Sequence, residues 1–265
     1  MDNKIIKFLV DVIRWYIKMS FRLIKLLLIA FSMVYFYASL PITAVTHSMI
    51  NDETKQIIII QEMMHMADSS FYKKVNQKVA VYKIQGFEHL YEEVVIDAKD
   101  SAEFQKRTGI SKNISKIFQN NSGLSYEGAK LNKIESIRAD ITGKDIIDAV
   151  RKPVINTSRL AEVNVNTFKD NSIEPHIMEH ISRTTIKLGY KMSRFLNDYN
   201  INLMTNDEFK RVIIDKRNMH VVVKSLLTNT DKVITYGANH SKGIIELLAQ
   251  QGFRKFEEEI TVIIY

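Results

Sequence analysis

The sequence predicts an α/β fold with a largely parallel or mixed central sheet, preceded by an N-terminal transmembrane helix. Three observations predict it. Short apolar runs at Ile57–Ile60 and Val233–Tyr236 suit strands buried on both faces, as in a parallel sheet. Helix-like segments alternate with these runs, the pattern of an α/β layer fold. Leu26 to Val45 carries no charge, and twenty helical residues span about 30 Å, the thickness of a bilayer core.

Three regions follow in order: a basic, partly amphipathic segment at 1–25, an anchor at 26–45 and an α/β domain at 50–265. Residues 1–25 carry Lys4, Lys7, Arg14, Lys18, Arg22 and Lys25 against Asp2 and Asp11, more than half of the net charge of +7. A nucleic-acid protein concentrates its basic charge on the folded domain, so this distribution points to a membrane instead. The positive-inside rule places the N terminus in the cytoplasm and the domain outside. A cleaved signal peptide is the rival reading, but its basic region would be long and no small-x-small site follows the apolar run. The chain has no Cys, which excludes disulfides and thiolate metal sites. It has no Gly-rich phosphate loop and no G-x-S-x-G elbow, which argues against nucleotide chemistry and an α/β serine hydrolase.

Within the domain, Ser69–Val81 reads as a helix and Leu90–Ile96 as a strand. Ala98–Gln119 reads as a frayed helix, Gln119–Leu124 as a turn, Ile134–Ile141 as a strand and Gly143–Val150 as a short helix. A long helix runs from Glu174 to Tyr199, with Pro175 in its first turn, and another covers Asn206–Lys224. Ser241–Gln250 is a helix capped by Gly252, and Phe256–Tyr265 closes the chain as a strand.

One sentence is written twice. Gln61-Glu62-Met63-Met64-His65 aligns with Tyr236-Gly237-Ala238-Asn239-His240, Gln85-Gly86-Phe87 with Gln251-Gly252-Phe253, and Glu92-Glu93 with Glu258-Glu259. The expected sheet is therefore built from two related strand–His–helix–strand units about a pseudo-twofold axis. His65 and His240 then sit at corresponding strand ends, where parallel sheets bind ligands. Two imidazoles and a carboxylate, Glu92, make an N/N/O set suited to a catalytic divalent ion. Chance and a purely structural duplication remain open readings of the repeat.

These residues resemble the TraB/TIKI superfamily, sometimes grouped with erythromycin esterase-like and ChaN-like proteins. Tyr236–Phe253 is similar to its second Gly-x-x-His motif, and Ile57–Tyr72 to its first. His89–Val94 resembles the strand ending in an acidic residue, which maps to Glu92. Asp215–Asn218 resembles the Arg-Asn or Arg-Asp helix motif, mapping to Arg217 and Asn218, and Arg138–Ile141 is a weaker match to a short acidic segment. The first motif departs from the family, with Glu62 where Gly is usual; Glu62 alters the turn or adds a carboxylate to the site. The resemblance covers about 57–265. It implies a metal-dependent hydrolase, metallopeptidase-like, holding Mn, Co or Zn on His65, Glu92 and His240. Glu62, Glu92, Arg217 and Asn218 would then serve catalysis on a peptide or other acyl substrate at the cell surface. Arg217 either grips a substrate carboxylate or pairs with Asp215 or Glu208. The alternative is a non-catalytic extracytoplasmic protein that binds a peptide signal in the same cleft.

A rival site is His176-Ile-Met-Glu179-His180, the H-x-x-E-H pattern of inverzincins. It sits in the first turn of its helix rather than within it. His47, His89 and His220 have no partner pattern.

Overall fold

The computed structural model describes residues 3–108, 122–126, 130–150, 174–198 and 211–265. The chain divides into two compact units, Met1–Leu40 and Pro41–Tyr265.

The first unit is one continuous helix, α1 (Asn3–Ser39). Its stretch Ile13–Ser39 is long and apolar enough to cross a membrane. Pro41 stops it, because proline lacks an N–H and drives the preceding residue out of helical backbone. The expected anchor at 26–45 therefore needs correcting. Ile42–Val45 belongs to the next element, a strand, and Ala44 is buried in the sheet. An apolar strand following an apolar helix reads as one run.

The second unit holds a mixed six-stranded sheet in the order β6-β4-β7-β2-β1-β8. Its strands are β1 (Ile42–Asn51), β2 (Ile57–Met63), β4 (Glu88–Tyr91), β6 (Ile137–Arg138), β7 (Lys232–Gly237) and β8 (Phe253–Ile264). The run β6, β4, β7, β2 is parallel, and β1 is antiparallel to both β2 and β8. β3 (Met66–Ala67) and β5 (Ser125–Tyr126) form a separate small ladder. The helices are α2 (Ser69–Ile84), α3 (Ser101–Thr108), α4 (Gly143–Ala149), α5 (Pro175–Asp198), α6 (Arg217–Ser225) and α7 (Ala238–Gln250). The long helix expected from Asn206 begins, in its described part, as a π-helical turn at Arg211–Lys216 that runs into α6. Residues 109–121, 151–173 and 199–210, where the end of the frayed helix and the break at Arg151–Asn156 were expected, lie outside the described residues.

Strand alternation builds two cores. Ile59 and Val233 face one way and pack with Phe71, Val75 and Val79 of α2. Ile58, Ile60, Ile234 and Tyr236 face the other and pack with Val221 and Val222 of α6 and Ile244 and Leu248 of α7. Neighbouring residues of a strand point to opposite faces, so each apolar run feeds both layers. The chain leaves β2 through α2 to reach β4, and leaves β7 through α7 to reach β8. β4 and β8 lie on opposite sides of the β7–β2 pair. Crossovers of one hand running in opposite directions put their helices on opposite faces, as found here. The carboxyl ends of β2 and β7, Met63 beside Gly237, are thus a topological switch point, the usual ligand site of such sheets. The two crossovers are not copies in detail, because β1 separates β2 from β8.

Candidate functional site

Each parallel strand delivers an ionisable side chain just past its carboxyl end: Asp140 after β6, Glu92 after β4, His240 after β7 and His65 after β2. Glu92, Asp140, Arg217, Asn218 and His240 are all buried. Tyr91 ends β4, and the backbone N–H of Glu92 still donates to Thr235 O at 3.1 Å. The strand expected to reach Ile96 stops here, and the Glu92 side chain turns to the site.

Arg217 opens α6, directly after the π-helical turn, a distortion common at functional sites. Its Nε donates to Asp140 Oδ1 at 2.9 Å, and its Nη2 to Asp140 Oδ2 at 2.7 Å and to Glu92 Oε1. Its Nη1 donates to Ile213 O at 3.4 Å. The guanidinium is therefore spent on two carboxylates of its own chain. Asp215 is not among these partners, and Glu208 lies outside the described residues.

Glu92 accepts at its other oxygen from the Gly237 N–H. A Cβ on Gly237 would stand 2.9 Å from that oxygen, so glycine permits the approach. Burial alone would raise the Glu92 pKa. The charges of His240, Arg217 and His65, with the Gly237 N–H, outweigh burial and hold it at about 2.

His240 lies in the first turn of α7. Its Nδ1 is 2.7 Å from Asn218 Oδ1. An amide oxygen only accepts, so Nδ1 carries the proton and Nε2 keeps its lone pair. Nε2 lies 3.8 Å from Glu92 Oε1. Burial lowers the His240 pKa to about 4 against the opposing pull of Glu92, so the ring is neutral at pH 7. The Tyr236 ring meets it edge-on, centroids 5.0 Å apart. A Cβ on Gly243 would fall 2.2 Å from Asn218 Nδ2, so this glycine makes room for the amide that orients the imidazole.

His65 is exposed on the bend after β2, and both Glu92 and His240 feel its charge. Among the described residues, no group of three His, Asp or Glu side chains is arranged to hold a metal ion. Two of the three expected ligands do fit one. His240 and Glu92 are in the ligating protonation states at neutral pH, and two bonds of about 2.1 Å can span their separation. His65 does not complete a three-donor group with them.

Glu62 is placed elsewhere. Its carboxylate accepts from Val45 N at 2.8 Å and from Arg194 Nη1 of α5 at 3.1 Å, with His47 Nε2 at 3.5 Å. None of these belongs to the Glu92 cluster, so the expected catalytic role for Glu62 has no geometric support. Glu93 points away, to Lys133 at 2.6 Å. In the second repeat, Glu258 meets His47 at 2.8 Å and Glu259 meets Lys78 at 2.7 Å. His89 is a satisfied interior residue between Ser136 Oγ at 2.7 Å and Thr235 Oγ1 at 2.9 Å. The rival pair His176 and His180 is exposed, with His176 on Glu174 at 3.2 Å and Glu179 near Arg183 at 3.7 Å.

Sequence reasoning names Glu92, Arg217, Asn218 and His240, and these four meet. It gives Asp140 only a weak match and passes over Tyr236 and Gly243. The signal for Gly243 was present, since a helix-interior glycine is unfavourable unless something needs its space.

The molecule is thus an α/β protein with a buried acid–base cluster at a switch point. No family model, curated protein or solved structure matches this chain.

Proposed function

We propose that this chain is a membrane-anchored hydrolase of peptides or other acyl substrates, TraB/TIKI-like, with its domain on the extracytoplasmic side. The observation that carries the reading is the facing pair His240 Nε2 and Glu92 Oε1. Both are proton-free at neutral pH, 3.8 Å apart, at the carboxyl ends of parallel strands. Two lone-pair groups held this close call for a donor or a cation between them. A water hydrogen-bonded to both is positioned for deprotonation by His240 as its oxygen attacks a carbonyl carbon. The proton then passes from His240 to the leaving group as the acyl bond breaks. Arg217 keeps Glu92 ionised, and Asn218 fixes the tautomer that leaves Nε2 free. His65, exposed on the bend after β2, is assigned to substrate contact. A divalent ion (Mn, Co or Zn) would be held by His240 and Glu92 and would supply an acidified water and a Lewis acid. The repeat reads as a duplicated strand–His–helix unit, with Glu62 replacing the glycine of the first copy.

The test uses the full chain in detergent, loaded with Mn²⁺, Co²⁺ or Zn²⁺ in turn or left metal-free, against a mixed peptide and ester library. The wild type is expected to turn over substrate. His240→Ala and Glu92→Gln are each expected to lose at least about a hundredfold, the usual worth of a general acid–base group. Full activity in folded His240→Ala would sink the assignment, and elemental analysis of bound metal separates the metal-dependent from the metal-free form.

A second reading, a non-catalytic peptide-binding protein, is favoured by one observation, which moves the binding surface from the expected cleft at Glu92 to another groove. A groove of ≈ 680 Å³ opens between α2 and β8, lined by Lys78, Tyr82, Ile260 and Tyr265 among others, away from Glu92. An extended peptide can lie along an edge strand. Peptide binding without turnover would select this reading.

A further inference from the structure

Every charged residue of α1 from Ile13 onward falls on one stripe. At 3.6 residues per turn, Arg14, Lys18, Arg22 and Lys25 share an arc of about 80°. No other charged residue lies between Ile13 and Ser39. The same arc continues through Ile29, Ser32 and Phe36 without charge. The rest of the helix surface is apolar at Trp15, Ile17, Phe21, Leu23 and Ile24, all exposed. Such a narrow stripe on a broad apolar helix is the pattern of a segment sunk into the interface with its cations turned to the headgroups.

The helix bounds sharpen this. Past Lys25 only the residues up to Ser39 remain, a helical length of about 21 Å, short of the roughly 30 Å of a bilayer core. A spanning α1 must therefore draw in the turns that carry Arg22 and Lys25. Those side chains can stay solvated only by reaching along the helix to phosphate oxygens. A second copy of α1 cannot cover the stripe, because its own cations would face like charge.

We infer that the stripe from Arg14 to Lys25 is a binding surface for anionic phospholipid headgroups on the N-terminal side of the bilayer. This rests on the anchor reading and goes beyond it, since an anchor needs apolar length but no lipid preference. Positively charged side chains near a membrane surface gather anionic lipid, and salt weakens the attraction.

Trp15 is the single tryptophan of the chain and adjoins the stripe, so its fluorescence reports the lipids there. The full chain is reconstituted in vesicles of phosphatidylcholine with a minority of phosphatidylglycerol, one or the other carrying brominated acyl chains. Brominated phosphatidylglycerol is expected to quench Trp15 about twofold more than its bulk share predicts. The excess should shrink in high salt and vanish in the combined Arg14→Gln, Lys18→Gln, Arg22→Gln, Lys25→Gln variant. That variant is more apolar and should still insert. Quenching that follows bulk composition in the wild type overturns the inference while leaving the anchor intact. A wild-type chain that fails to float with the vesicles overturns both.

Discussion

The site is decided by how single side chains share protons. Arg217 stands between Asp140 and Glu92 at the centre of a buried ion cluster, and its own pKa is raised by those carboxylates despite burial. Removing one carboxylate leaves a buried cation short of a partner. Asp140→Ala is therefore expected to cost about 3–5 kcal/mol, read from a denaturant midpoint. The imidazoles act on a different axis. Burial, with Lys83 nearby, lowers His89 from 6.5 to about 4, and burial lowers His240 by as much. Below pH 6.5 the unfolded chain takes up protons that the native chain refuses until about 4, so both groups remove stability as pH falls through that window. Glu92, lowered from 4.5 to about 2, adds stability that is complete above 4.5 and is lost as pH falls towards 2. The thermal midpoint is expected to drop steadily from pH 6.5 downward. His89→Gln should flatten part of the slope between 6.5 and 4. An unchanged slope would show that His89 is not buried neutral.

At the scale of elements, α6 and α7 form one device. Asn218 on α6 orients His240 on α7, and the gap for its amide is the missing Cβ of Gly243. Gly243→Ala normally strengthens a helix by up to about 1 kcal/mol. Here the new methyl pushes Asn218 off Nδ1. The expected outcome is a fall in turnover at least as large as that of Asn218→Ala, with α7 still folded by circular dichroism. Activity equal to the wild type would mean that Asn218 does not position the ring.

Much of this level is legible in sequence. The apolar runs at Ile57 and Val233 are β2 and β7, and the helical periods at Ser69 and Ser241 fall within α2 and α7. β1 is not legible, because Pro41 is the sole punctuation between two apolar elements of different period. Nor is the two-residue β6 within the longer strand expected at Ile134–Ile141, since its pairing with β4 is set by tertiary contact. Glu92 and Arg217 are legible as residue types, but their ion pair joins positions 125 apart. Local pattern carries no record of such a distance.

The whole molecule separates into an apolar helix and an α/β unit with its own two-sided core. Pro41–Tyr265 is therefore expected to express as a soluble, cooperatively folding protein with the wild-type pH profile of stability. Aggregation on removal of residues 1–40 would show that α1 completes the core. The sheet has a further consequence, for the order of assembly. β1 pairs with β2 across a short turn, but its other edge is closed by β8, the last strand among the described residues. Asn51 even donates to Gln251 O, 200 residues away. During synthesis β1 must keep one edge open until β8 has been made. An apolar strand edge therefore waits, unpaired and open to other chains, while the 200 residues from Asn51 to Gln251 are made.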